Sequence, residues 1–152
     1  MPFEYYAKVN KVIDGDTINV DIDLGFNTFL CNQDVRLIGI DAPESRTSDK
    51  AEKIFGTLSK DKVKEFIQEC QNQVLIQVKL INNDEKFGRI LGKIINAQDK
   101  TILNDWLVQN NYAVPYDGEN KNKIQELHLN NRKILIDRKE IQMSYSEAKI
   151  KI

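Results

Sequence analysis

The stretch Val12–Glu44, VIDGDTINVDIDLGFNTFLCNQDVRLIGIDAPE, decides the fold. Within it Ile18, Val20, Ile22 and Leu24 alternate with Asn19, Asp21 and Asp23, the two-residue period of a half-buried strand. Asp14-Gly15-Asp16 reads as the turn or bulge before that strand, and Gly25-Phe26-Asn27 as the turn after it. Tyr5 to Ile13, rich in aromatic and β-branched residues, reads as a preceding strand. Thr28 to Ile40 reads as a following one, interrupted near Asn32–Asp34. The three are expected to form an antiparallel meander. Strict alternation would put Arg36 and Asp41 on opposite faces, so a common site needs a bend between them, for which Gly39 is the natural place. Pro43 removes a ladder donor and ends the strand.

Downstream, Ser45 to Lys53 reads as a polar, mobile loop. Gly56-Thr57 is expected to open a helix, with Thr57 as N-cap. Leu58, Val63, Phe66, Ile67 and Cys70 then form its buried stripe. Strands are predicted over Val74–Ile81 and Phe87–Ile95, separated by an Asn-Asn-Asp turn. A short helix is predicted over Ile102–Gln109, capped by Thr101. An extended connection, Tyr112 to Gly118, leads to a last helix over about Asn120–Leu135, with apolar positions Ile124, Leu127, Ile134 and Leu135. Residues 1–136 make one domain in this reading, and 137–152 a C-terminal tail of unassigned structure. The order is three strands, helix, two strands, helix, helix. It outlines an α+β, mainly β, OB-fold: a five-stranded antiparallel barrel with three helices.

The chain has 152 residues, 41% hydrophobic and 30% charged, which fits one globular domain. No run approaches the ~18 apolar residues of a membrane span. No basic patch followed by an apolar run opens the sequence, so an intracellular protein is expected rather than a secreted one. Cys31 and Cys70 lack metal-site spacing and are expected as free thiols. The net charge is −1, which argues mildly against a nucleic-acid binder. Its distribution is uneven, since residues 119–152 carry +3 and residues 1–118 carry −4. No long apolar surface stripe is left over, so a monomer is expected.

Asp16 and Asp41 each follow a run of strand residues and could offer oxygen to a hard cation such as Ca2+. A backbone carbonyl near Ala42 could add to them. The plainer alternative is that Asp14 and Asp16 merely form a turn. Glu44 could hold or deprotonate a water, or be a surface glutamate. Arg36 and Arg89 could fork onto phosphate oxygens, or form salt bridges to the aspartates. Tyr116 could offer a stacking face to a base. Lys86 could meet a phosphate, or be a solvated turn residue. Tyr112 reads as core. His128, in the last helix and remote in sequence from the rest, receives no role.

Three motifs in order carry a resemblance: Val-x-Asp-Gly-Asp-Thr at 12–17, Val-Arg-Leu-x-Gly-Ile-Asp-Ala-Pro-Glu at 35–44, and Lys-Phe-Gly-Arg at 86–89. The chain resembles the staphylococcal nuclease-like family over roughly Tyr5 to Lys133. That resemblance implies an OB-type barrel with three helices. It implies Ca2+-dependent hydrolysis of DNA and RNA phosphodiesters, leaving 3′-phosphate ends. It places metal ligands on Asp16, Asp41 and the Ala42 carbonyl, the general base on Glu44 and phosphate-binding arginines on Arg36 and Arg89. Phe87, with Lys86 and Tyr116 on the substrate side, stands where the family often has Tyr, so a hydroxyl contact is missing. The Ala113–Gly118 segment is similar to that of phage-borne members. A noncatalytic nucleic-acid-binding module of the same fold is the alternative, and a domain that binds Ca2+ only for stability is a third.

Overall fold

In the computed structural model, which describes residues 3–79 and 90–151, the alternation in β2 (Thr17–Asp23) aims Ile18, Val20 and Ile22 into the core. β2 pairs antiparallel with β1 (Phe3–Asp14) on one side and β3 (Phe29–Leu37) on the other, giving the expected meander. Leu24 is exposed, because the strand ends at Asp23 and the chain turns through Gly25, Phe26 and Asn27, all at positive φ. β4 (Ile40–Asp41) follows, then α1 (Lys50–Glu69), β5 (Gln73–Val78) and β6 (Ile90–Ile95). α2 (Leu103–Gln109), β7 (Val114–Pro115) and α3 (Lys121–Asp137) complete the order.

The barrel closes in the order β1-β2-β3-β6-β5. It is not antiparallel throughout: β3 and β6 run parallel, with Val35, Arg36 and Leu37 beside Ile90, Leu91 and Gly92. Five strands in a ring cannot alternate direction at every seam, so one pair has to be parallel. The crossover that a parallel pair needs is supplied by α1 and β5. Ile18, Val20, Val35, Val74, Ile76 and Ile94 fill the interior, and Phe55, Val63 and Ile67 of α1 cover one end.

Three helix boundaries differ from expectation. α1 begins six residues before Gly56, because Asp49 caps it by accepting from Ala51 and Glu52 N–H. The last four residues of the expected loop, 50–53, are therefore helix. Ile102, not Thr101, precedes α2 and makes no side-chain cap. α3 is capped by Asn120, which accepts from Lys123 N–H, and runs to Asp137. Its buried residues are Ile124, His128, Arg132 and Leu135, while Ile134 is exposed. Tyr112 is buried in the core beside Trp106, their ring centroids 5.7 Å apart. Both cysteines are free.

The segment after α3 folds back on the domain. Ile141 and Ala148 are buried, Arg132 donates to the Ala148 carbonyl at 2.8 Å, and Lys149 pairs with Asp49 at 3.0 Å. Among the described residues no helix is long and apolar enough to cross a membrane.

Candidate active site

Local chain geometry brings the acidic and basic groups together. The β1–β2 turn presents Asp14 and Asp16, and cross-strand pairing sets Thr17 opposite Arg36. After Leu37 the chain leaves β3, turns at Gly39 with φ +81°, and resumes as β4. That turn resolves the alternation problem and lets Arg36 and Asp41 meet. β4 is held by β7, and Tyr116 N–H donates to the Gly39 carbonyl. Asn104 fixes the approach from α2, accepting from Ile94 N–H and donating to the Ile38 and Gly92 carbonyls.

Arg36 is the hub. Its guanidinium lies 3.2 Å from Asp16 Oδ2 and 3.5 Å from Asp41 Oδ1. Asp16 also accepts from Ala42 N–H at 3.0 Å and from the Thr17 hydroxyl at 3.1 Å. Burial raises the Asp16 carboxyl above the ordinary aspartate value; Arg36 and the Ala42 N–H oppose this, and the charges of Asp14 and Asp41 add to it. Asp14 accepts from Gly15 and Ser45 N–H, which ties the 42–45 segment to the turn. Glu44 N–H donates to Glu52 on α1. Partial burial, a hydrogen bond with Asp14 and the charges of Asp14, Asp16 and Asp41 push Glu44 up to about 7. The residue is exposed overall, so the crowding of carboxylates is the stronger reason for that rise.

Arg36, Asp41, Ala42, Glu44, Tyr116 and His128 line one cleft of about 770 Å³. A smaller cavity beside it is shared by Asp14, Asp16, Arg36 and Glu44. Lys86, Phe87 and Arg89 lie outside the described residues.

Asp16 and Asp41 direct one oxygen each at the same guanidinium, so they converge on one place. Four carboxylates, at 14, 16, 41 and 44, lie close together around Arg36, with Arg46 on the wall of the smaller cavity. This all-oxygen, under-neutralised set fits a hard divalent cation. Among the described residues no three Asp, Glu, His or Cys side chains form a ready group for an ion. The Ala42 carbonyl and water would have to complete any coordination.

Two groups at the site went unread in the sequence. His128 is buried, and its Nε2 lies 2.8 Å from Asp41 Oδ2. Arg132, one turn on, is buried over the Phe55 ring and lines the same cleft. The signal was the spacing Ile124, His128, Arg132, Leu135, which puts both polar residues on the inward stripe of α3.

The structure defines an OB-type barrel domain with an arginine held between two aspartates beside an open cleft. The sequence comparisons narrow it. A family model described as Staphylococcal nuclease homologue matches residues 34–141. The chain belongs to that family. It is 29% identical over 118 residues to Endonuclease YhcR of Bacillus subtilis (strain 168), covering 74% of this chain and 9% of that protein. It is 31% identical over 131 residues to Uncharacterized protein MJ1439 of Methanocaldococcus jannaschii, covering 74% of this chain and 59% of that protein. The chain thus spans a small part of the first relative and somewhat over half of the second.

Proposed function

We propose that this chain is a metal-dependent nuclease that hydrolyses phosphodiester bonds of DNA or RNA. The observation that carries this is the Arg36 guanidinium between Asp16 and Asp41, with Glu44 alongside, where an open cleft meets a smaller cavity in a nuclease-family chain. Asp16, Asp41 and the Ala42 carbonyl would hold the cation, for which Ca2+ is the proposed occupant. When bound, a hard cation supplies charge stabilisation for a reacting phosphate.

This chain's own groups do the rest. Arg36 donates to non-bridging phosphate oxygens and meets the charge that builds on them. Arg89 is assigned the same task. Glu44, beside Asp14, Asp16 and Asp41 and lining the cleft, is assigned as the base. It takes a proton from the attacking water while the new phosphorus–oxygen bond forms. The bond to the 5′-oxygen breaks, that oxygen takes a proton from solvent, and a 3′-phosphate remains. Tyr116, Lys86 and Phe87 flank the substrate in this assignment. The YhcR relative, an endonuclease by name, supports internal cutting.

The test is incubation with single-stranded DNA, double-stranded DNA and RNA, each with Ca2+, Mg2+ or chelator, beside a Glu44→Ala control. Cation-dependent cutting that collapses in the control is the expected result. Binding without cutting under every condition would replace the proposal with a noncatalytic nucleic-acid-binding module.

A further inference from the structure

We propose that His128 is a positioning residue that orients Asp41 as a one-oxygen ligand for the divalent cation; this rests on the nuclease reading above. Asp41 lies on β4, a strand of two residues, and its side chain is 29% exposed. A carboxylate on so short a strand can rotate and present either oxygen, or both, to a cation. His128 removes that freedom. Its Nε2 engages Asp41 Oδ2 at 2.8 Å, which leaves Oδ1 as the oxygen turned toward Arg36, on the side shared with Asp16.

The histidine is well placed to act as a fixed point. It sits within α3, capped by Asn120 at one end, with Ile124 and Leu135 buried on the same stripe. The Arg132 bond to Ala148 ties the middle of the helix to the returning segment. The residue is only 8% exposed, and the ring Nδ1 has no hydrogen-bond partner among the described residues. Burying an imidazole with one nitrogen unpartnered is unfavourable, and packing alone would be served better by an apolar ring. The one polar contact this ring makes among the described residues is with Asp41. Groups behind metal ligands act in this way, fixing orientation without touching the ion.

Two substitutions separate orientation from packing. His128→Phe keeps a ring and deletes the donor. His128→Gln places an amide N–H at a similar reach. Calcium titration calorimetry on the full chain reads affinity directly, without nucleic acid. Melting in chelator checks that each variant folds, and cleavage of single-stranded DNA gives kcat and KM. His128→Phe is expected to weaken Ca2+ binding roughly 10–100-fold, with His128→Gln restoring it to within a few-fold of the parent. Should the phenylalanine variant unfold, His128→Met, flexible and of similar length, carries the same comparison. Parental Ca2+ affinity in His128→Phe or His128→Met overturns the inference. So does a glutamine variant as weak as the apolar one. In both cases a parent that still binds and cuts leaves the nuclease reading standing. A parent chain that neither binds Ca2+ nor cuts overturns that reading, and this inference falls with it.

Discussion

Gly56 lies inside α1, where the backbone of the 42–45 segment crosses it. A Cβ added there would sit 2.2 Å from the Glu44 carbonyl oxygen, 2.4 Å from the Glu44 carbonyl carbon and 2.7 Å from Ser45 nitrogen. All three are backbone atoms, so no side chain can swing aside. An ordinary carbon–oxygen contact is about 3.3 Å, so helix and segment must part by roughly 1 Å. In a helix interior alanine is favoured over glycine by about 1 kcal/mol. Overpacking costs about 1–3 kcal/mol, and a rigid backbone clash belongs at the upper end. The balance for Gly56→Ala is a loss of about 2 kcal/mol, a fall in Tm of about 4–8 °C for a chain of this size. Activity should suffer more than stability, because the displaced segment carries Ala42 and Glu44. A misplacement of about 1 Å can cost about 100-fold in rate. Calorimetric melting and initial cleavage rates, both measured well below Tm, give the two numbers. A variant that melts at or above the parent temperature and cuts at the parental rate would show that helix and segment part without cost.

Arg36→Met leaves the buried Asp16 carboxylate without its cation, and breaking such a pair costs about 3–5 kcal/mol. Urea melts in chelator should show that loss and melts in Ca2+ a smaller one; equal losses in both would separate Asp16 from the cation. Asn104→Leu strips its partner from Ile94 N–H and from the Ile38 carbonyl, each costing about 1–3 kcal/mol, while the Gly92 carbonyl keeps Ile38 N–H. A variant within 1 kcal/mol of the parent, on the order of one lost bond, would show that water replaces the amide. Asp49 is held below the ordinary aspartate value by Lys149 and by Glu52 N–H. Its contribution is therefore present above the ordinary aspartate range and lost as pH falls through the lowered value. Asp49→Ala should cost about 1 kcal/mol at pH 7, with its melting curve approaching the parent's in acid. A gap that is constant across pH would contradict this.

Much of the barrel was legible because strand periodicity is local. Ile18, Val20 and Ile22 announce their face without knowledge of any partner. The parallel seam between β3 and β6 is a property of the closed ring, which no single strand encodes. The helix boundaries turned on caps: Asp49 and Thr57 are both acceptable N-cap residues, and burial of Ala51 and Phe55 decides for Asp49. At the site, Asp16, Arg36, Asp41 and Glu44 lie close in sequence and were read together. Their meeting in space depends on the Gly39 bend, which alternation alone demanded. His128 was unreadable by proximity, being 87 residues from Asp41. Helical spacing held the only trace of it.

The two-residue strand β4, with its distant partners, makes the site late in time as well as far in sequence. Ribosomes add about 5–20 residues per second, so His128 follows Asp41, 87 residues later, by roughly 4–17 s. Val114, the β7 residue paired with Asp41, is also added after the meander is complete. During that interval Asp16, Arg36, Asp41 and Glu44 are already in the chain while Val114 and His128, the native neighbours of Asp41, are not. The emerging chain therefore spends its first seconds beside its own message with the cleft unassembled.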